Sequence, residues 1–180
     1  MRPALYYRGM EPGDEQTVAT LVSRIFLETV APLYPQEGVA EFLRYGANPE
    51  AIRLRSQEDH FVLLAEVRGA ELCQLVGVIE MRQCRHISLL FVDPPFQRRG
   101  IARELMRQCI KRCRMLQPCT DEITVNASPN AVAAYERLGF RATSTQQQVN
   151  GISFVPMVLT LAPSSAADQP GTMSTPRPHG

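Results

Sequence analysis

The stretch His86–Leu116 constrains this chain more than any other. It holds a strand-like run, His86–Val92, then Asp93-Pro94-Pro95, then the loop Gln97-Arg98-Arg99-Gly100-Ile101-Ala102, then a helical run, Arg103–Leu116. Proline cannot feed a ladder, so the strand ends at Val92. A strand that passes through a short loop into a helix leaves the first helical N–H groups unpaired, at the positive end of the helix dipole. Such an element binds phosphate or pyrophosphate. Gly100 lets backbone approach a ligand closely, and Ala102 keeps the first turn slim. The same six letters also suit an ordinary basic loop, and the rest of the chain decides between the two.

Upstream, Tyr6–Arg8 begins a strand and Glu11-Pro12-Gly13-Asp14 turns the chain. Asp14 is placed to cap a helix reaching Val30, with Val18, Leu21, Val22 and Ile25 on one face. A second helix, Gln36–Tyr45, is predicted to bury Val39, Phe42 and Leu43, and a short helix or turn covers Glu50–Ser56. Phe61–Val67 and Gln74–Met81 read as a hairpin that leads into His86–Val92. Downstream come a strand at Glu122–Ala127, a helix at Asn130–Leu138, a strand at Arg141–Val149, the turn Asn150-Gly151 and a last strand at Ile152–Leu161. The expected domain spans residues 1–162. The Pro-, Ser- and Gly-rich tail at 163–180 lacks apolar content to offset the cost of ordering and is expected to be disordered.

A formal charge of +1 excludes the marked basic excess of a dedicated nucleic-acid binder. No apolar run has the length of a membrane span, and no signal-like segment opens the chain, so the expected location is cytoplasmic. The five cysteines, Cys73, Cys84, Cys109, Cys113 and Cys119, form no CxxC pair, and the histidines are scattered, so no metal is expected.

A second segment, Val125–Phe140, reads VNASPNAVAAYERLGF. With the Gln97–Ala102 loop, in this order and at this spacing, it resembles the GNAT superfamily of acetyl-CoA-dependent N-acetyltransferases over roughly residues 5–160. Gln97, Gly100 and Ala102 match the family's acyl-CoA signature, and Tyr135 precedes a Leu-Gly-Phe as in its late helix. The resemblance implies a single α/β domain, its mixed, mostly antiparallel sheet of about six or seven strands flanked by about four helices. It implies acetyl transfer to a primary amine by direct attack in a ternary complex, with acetyl-CoA as co-substrate.

The resemblance also implies the site. Gln97, Arg98, Arg99, Gly100, Ile101, Ala102 and Arg103 would hold the pyrophosphate. A bulge in the fourth strand would free backbone at Leu90, Phe91 and Val92 for the pantetheine and thioester. Tyr135 takes the family's place for the general acid that protonates the leaving thiolate. Asn126 and Asn130 could bond the pantetheine or the substrate; one common family pattern sets an asparagine where Ser128 stands, so the contact is open among the three. Deprotonating the amine needs a base, and the residues offer Glu80, a lone carboxylate in an apolar strand, His86, able to titrate near neutral pH, and Glu28. The acceptor stays open, as does a homodimer. Two rival readings share the chain: a non-catalytic acyl-CoA sensor, and an interaction module built on the stripe Arg103, Arg107, Lys111 and Arg114.

Overall fold

The structure, a computed structural model, describes residues 4–69 and 73–163. The elements are β1 (Ala4–Gly9), α1 (Glu15–Thr29), α2 (Gln36–Gly46), α3 (Pro49–Gln57), β2 (His60–Arg68), β3 (Cys73–Arg82) and β4 (His86–Val92). They continue with α4 (Ile101–Leu116), β5 (Glu122–Ala127), α5 (Val132–Arg137), β6 (Arg141–Ala142), β7 (Gln147–Val149) and β8 (Ile152–Thr160). The sheet runs β1-β2-β3-β4-β5-β8-β6, with β7 also on β8. Only β4–β5 is parallel, so the sheet is mixed and mostly antiparallel, as expected. The tail expected to be disordered falls, from residue 164 on, outside the described residues.

Alternating strand residues supply two cores. Leu63, Ala65, Ile79 and Ile87 pack with Ile101, Leu105 and Cys109 of α4. Val62, Leu64, Val78 and Leu89 pack with Val18, Leu21, Val22 and Ile25 of α1 and Ile52 of α3. Ile87 and Leu89 thus face opposite sides although two residues apart. A bulge explains this: Met81 pairs with Ile87 and Glu80 with Leu89, leaving Ser88 as the extra residue of β4.

Several expectations change in detail. The single strand expected over Arg141–Val149 is two short pieces, β6 and β7. Between them the carbonyl of Pro156 in β8 accepts from Thr143 N–H at 2.9 Å. Proline has no N–H to return on that side, and the ladder breaks. The helix expected at Asn130–Leu138 is shorter, because Pro129–Ala131 forms a tighter 3₁₀ turn ahead of α5. Asp14 precedes α1 but does not cap it; its carboxylate binds the Arg8 guanidinium and accepts from Glu11 N–H at 2.8 Å. In α2, Val39, Phe42 and Leu43 are only half-buried, and the buried positions are Gly38 and Gly46.

Candidate functional site

β4 and β5 are joined by only two rungs, His86↔Thr124 and Ile87↔Val125. Beyond them β4 runs on through Ser88–Val92, while β5 turns its other edge to β8 over its whole length. The strands therefore part, and the backbone of β4 on that side has no strand partner. Leu90, Phe91 and Val92 lie along this gap. The bulge sits earlier than they do, at Ser88, immediately past the last rung.

The open end of the gap leads to α4. Gly100 precedes the helix with φ +82°, a left-handed backbone that favours glycine. A Cβ there would meet no atom within 4 Å, so conformation, rather than crowding by the protein, is what requires glycine. No side chain caps α4, which leaves the amides of Ile101, Ala102 and Arg103 at its positive end without intrahelical partners. Gln97 braces the loop from its Nε2 to the Val92 carbonyl at 3.0 Å. The Arg99 guanidinium lies 5.1 Å from the Phe96 ring centre, and Arg98 adopts φ +59°. Beside the loop, a groove of about 390 Å³ is lined by Arg103, Arg107 and Arg137 above Met106, Ile110 and Leu138.

The basic stripe is partly spent within the chain. Arg107 binds Glu104 at 2.6 Å and holds that carboxyl down to about 2, and Arg114 donates to the Ala162 carbonyl. Arg103 and Lys111 form no ion pair with a described residue.

Tyr135 is 7% exposed and packs edge-on against Phe140, with ring centres 5.3 Å apart. Burial pushes its phenol well above the ordinary tyrosine value, so the hydroxyl keeps its proton. The two asparagines separate. Asn126 is exposed on the α1 side of β5, whereas Asn130 donates to the Thr29 carbonyl at 2.8 Å and accepts from Ser128 Oγ at 2.8 Å. Asn130 thereby ties the loop after β5 to the end of α1.

The expected bases fare differently. Glu80 is fully buried, and Arg55 donates to both its oxygens, at 2.7 and 2.9 Å. Both oxygens of this first candidate are thus engaged by the Arg55 guanidinium, away from solvent. Glu28 is exposed beside Arg24, at 3.9 Å. His86 stands on the last β4–β5 rung. His86 Nδ1 lies 2.8 Å from Thr124 Oγ1, itself 3.2 Å from the Arg85 carbonyl; when Thr124 donates to that carbonyl, Nδ1–H donates to Oγ1. Nε2 is left as the acceptor. Burial first, then Arg82 and His60, lower this imidazole to about 4. It is neutral at physiological pH, not poised near 7 as the sequence suggested.

Three residues of this region were not anticipated. Arg55 is one arginine among many in the sequence, and nothing local marks its partner. Asp93 is 3% exposed, with one oxygen 3.0 Å from Arg24 of α1. Ser88 holds a buried hydroxyl with no hydrogen-bond partner; its signal was a lone hydroxyl inside HISLLFV.

On the far side of the gap, α2 meets the β7–β8 turn so closely that a Cβ on Gly38 would collide with the Gly151 carbonyl. Tyr34 Oη donates to the Ser153 carbonyl at 2.7 Å. Phe42 stacks on Phe26 at 3.9 Å and meets Phe91 of β4 edge-on at 6.0 Å. Helices, hairpin and β4 thus enclose one side of the opening.

Among the described residues no helix is long and apolar enough to cross a membrane, and no cluster of His, Cys, Asp and Glu could hold a metal. The buried thiols Cys84, Cys109 and Cys113 lie in the α4 core, and burial pushes Cys84 up to about 11. An acetyltransferase (GNAT) domain model matches residues 30–161. An uncharacterized N-acetyltransferase, YafP, from Escherichia coli strain K12 is 28% identical over 140 residues, 78% of this chain and 83% of that protein. The GCN5-related N-acetyltransferase structure from Rhodopseudomonas palustris superposes with a TM-score of 0.67 at 21% identity, covering 89% of this chain and 97% of that one. The PaiA N-acetyltransferase of Thermoplasma acidophilum, solved in complex with coenzyme A, gives 0.68 at 18% identity, covering 88% and 99%. With the family model spanning most of the chain, this protein belongs to the GNAT family and is an acetyltransferase.

Proposed function

We propose that the protein moves an acetyl group from acetyl-CoA to a primary amine by direct attack within a ternary complex. The observation that carries this reading is the β4–β5 gap opening onto the uncapped first turn of α4. The residues fit the cofactor. The amides of Ile101, Ala102 and Arg103, with the backbone of Gln97–Gly100, would hold the pyrophosphate, and Arg103 beside its groove suits the 3′-phosphate. The unpaired edge at Leu90, Phe91 and Val92 would take the pantetheine amides and polarise the thioester carbonyl. Asn126 is free to add a side-chain contact, whereas Asn130 serves as the brace to α1.

Bound acetyl-CoA supplies a thioester whose carbonyl carbon takes the amine nitrogen as its C–S bond breaks, so one proton passes from nitrogen to sulfur overall. Tyr135 holds the proton that the departing sulfur needs, and its burial prevents earlier loss to solvent. His86 Nε2, neutral and unengaged, is the acceptor the geometry leaves on the amine side. Glu80 neutralises Arg55 and takes no part in proton transfer.

The test is Tyr135→Phe. Removal of the oxygen alone keeps the ring against Phe140 and should lower turnover roughly 10²-fold with acetyl-CoA affinity nearly unchanged. Steady-state kinetics with a reactive amine from a screened library, beside a melting curve, provide the readout. Full activity in a stable variant would end the general-acid assignment. Micromolar acetyl-CoA binding without turnover of any amine would favour an acyl-CoA sensor.

A further inference from the structure

We propose that α1 acts as a crossbar over the open end of the β4–β5 gap, its Arg24–Asp93 and Thr29–Asn130 anchors holding the two strand ends apart at the spacing the pantetheine arm needs. This deepens the acetyl-transfer reading above and rests on it.

The gap needs such a restraint. Beyond the Ile87↔Val125 rung, the facing edges of two parallel strands carry free N–H and C=O groups. Edges of that kind pair when they come within about 4.8 Å of each other. The bulge at Ser88 bends β4, but only locally. β3 holds the outer edge of β4 and β8 that of β5, which leaves the distance between the inner edges to another element.

α1 meets both strand ends. Asp93 directly follows β4, and its carboxylate lies 3.0 Å from the Arg24 guanidinium. In the loop after β5, Asn130 Nδ2 donates to the Thr29 carbonyl at 2.8 Å. The two anchors thus belong to one helix and grip opposite sides of the gap. The helix is itself fixed, because Val18, Leu21, Val22 and Ile25 pack into the core on that face of the sheet.

Each anchor supplies a group that would otherwise lack a partner. Asp93 is buried, and Arg24 is its one ion-pair partner among the described residues. A buried carboxylate stripped of its cation is strongly destabilised, so α1 does not lift freely from the end of β4. Thr29 closes α1, where a carbonyl has no intrahelical N–H to accept from, and the Asn130 amide provides one. Ser128 Oγ donates to Asn130 Oδ1 at 2.8 Å, which fixes the orientation of that amide. Neither anchor is among the α4 amides assigned to the pyrophosphate. Their effect falls on the slot for the arm and not on the nucleotide end of the cofactor.

Calorimetry of the full chain with two ligands tests this: CoA, and adenosine 3′-phosphate 5′-diphosphate, which is CoA without its pantetheine arm. Asn130→Ala should bind CoA about fivefold more weakly, the usual worth of one hydrogen bond, and bind the nucleotide as wild type does. Arg24→Met should show a selective loss of the same kind from the other side of the gap. In the double variant the two losses should fall short of their product, because release of either anchor already frees the spacing. If Arg24→Met does not fold, Arg24→Met/Asp93→Asn, which removes the buried charge with its partner, takes its place. Unchanged CoA affinity in either variant, or an equal loss for the nucleotide, overturns the proposal. So do losses that multiply in the double variant, which would mean that each side chain touches CoA on its own. Failure of wild type to bind CoA at all would instead overturn the acetyl-transfer reading, and this one with it.

Discussion

The buried ion pair between Arg55 and Glu80 shows how far a residue's role can depend on a partner its neighbours do not announce. Glu80 reads in the sequence as a lone acid on an apolar strand, and that much is legible. Its partner lies 25 positions earlier, on a different element, and so the same letters suggested a catalytic base. Arg55 also donates to the Tyr45 carbonyl at 2.6 Å and lies 4.1 Å from the Tyr45 ring centre, so it ties α2 and α3 to β3. Arg55→Met should therefore leave an uncompensated buried carboxylate and cost about 3–5 kcal/mol, measured by denaturant unfolding. The double variant Arg55→Met/Glu80→Leu should recover most of that loss. A single variant as stable as wild type would show that the pair does not hold α3 to the sheet.

His86 makes a second residue-scale prediction. Its imidazole is lowered from 6.5 to about 4, so between these values the folded chain binds fewer protons than the unfolded one. Its contribution to stability is full above pH 6.5 and is lost as the pH falls toward 4. The melting temperature should drop across that window, and His86→Gln should flatten the drop. An equally steep profile in the variant would mean that other groups carry it.

At the scale of elements, most of the chain could be read from pattern. The strand–loop–helix at β4 and α4, the β2–β3 hairpin and the apolar face of α1 follow directly from periodicity and proline stops. What could not be read is where a ladder pauses. The bulge at Ser88 and the break opposite Pro156 depend on register between strands distant in sequence. The contact of α2 with the β7–β8 turn is of the same kind, because it rests on two glycines far apart in sequence, Gly38 and Gly151. Gly38→Ala should force the hairpin away from α2, at about 1–3 kcal/mol as with other overpacked sites. Its effect should appear in the melting temperature, with acetyl-CoA affinity little changed. A variant with wild-type stability would show that the hairpin does not need this contact.

For the whole molecule, the two cores on opposite faces of one sheet have a shared consequence: they hold β4 and β5 firmly at one end while their other ends diverge. β4 is pinned by β3 and by both cores, and β5 is pinned by β8 along its full length. The gap is thus built into the fold, and α4 begins at its mouth. Acetyl-CoA added to isotopically labelled protein, followed by backbone amide NMR, tests this most directly. The largest shifts should fall on Leu90, Phe91 and Val92 along the gap and on Ile101, Ala102 and Arg103 at the start of α4, with β1 and β2 little affected. Saturating acetyl-CoA that leaves those six amides unmoved, or that moves a different surface instead, would contradict the account.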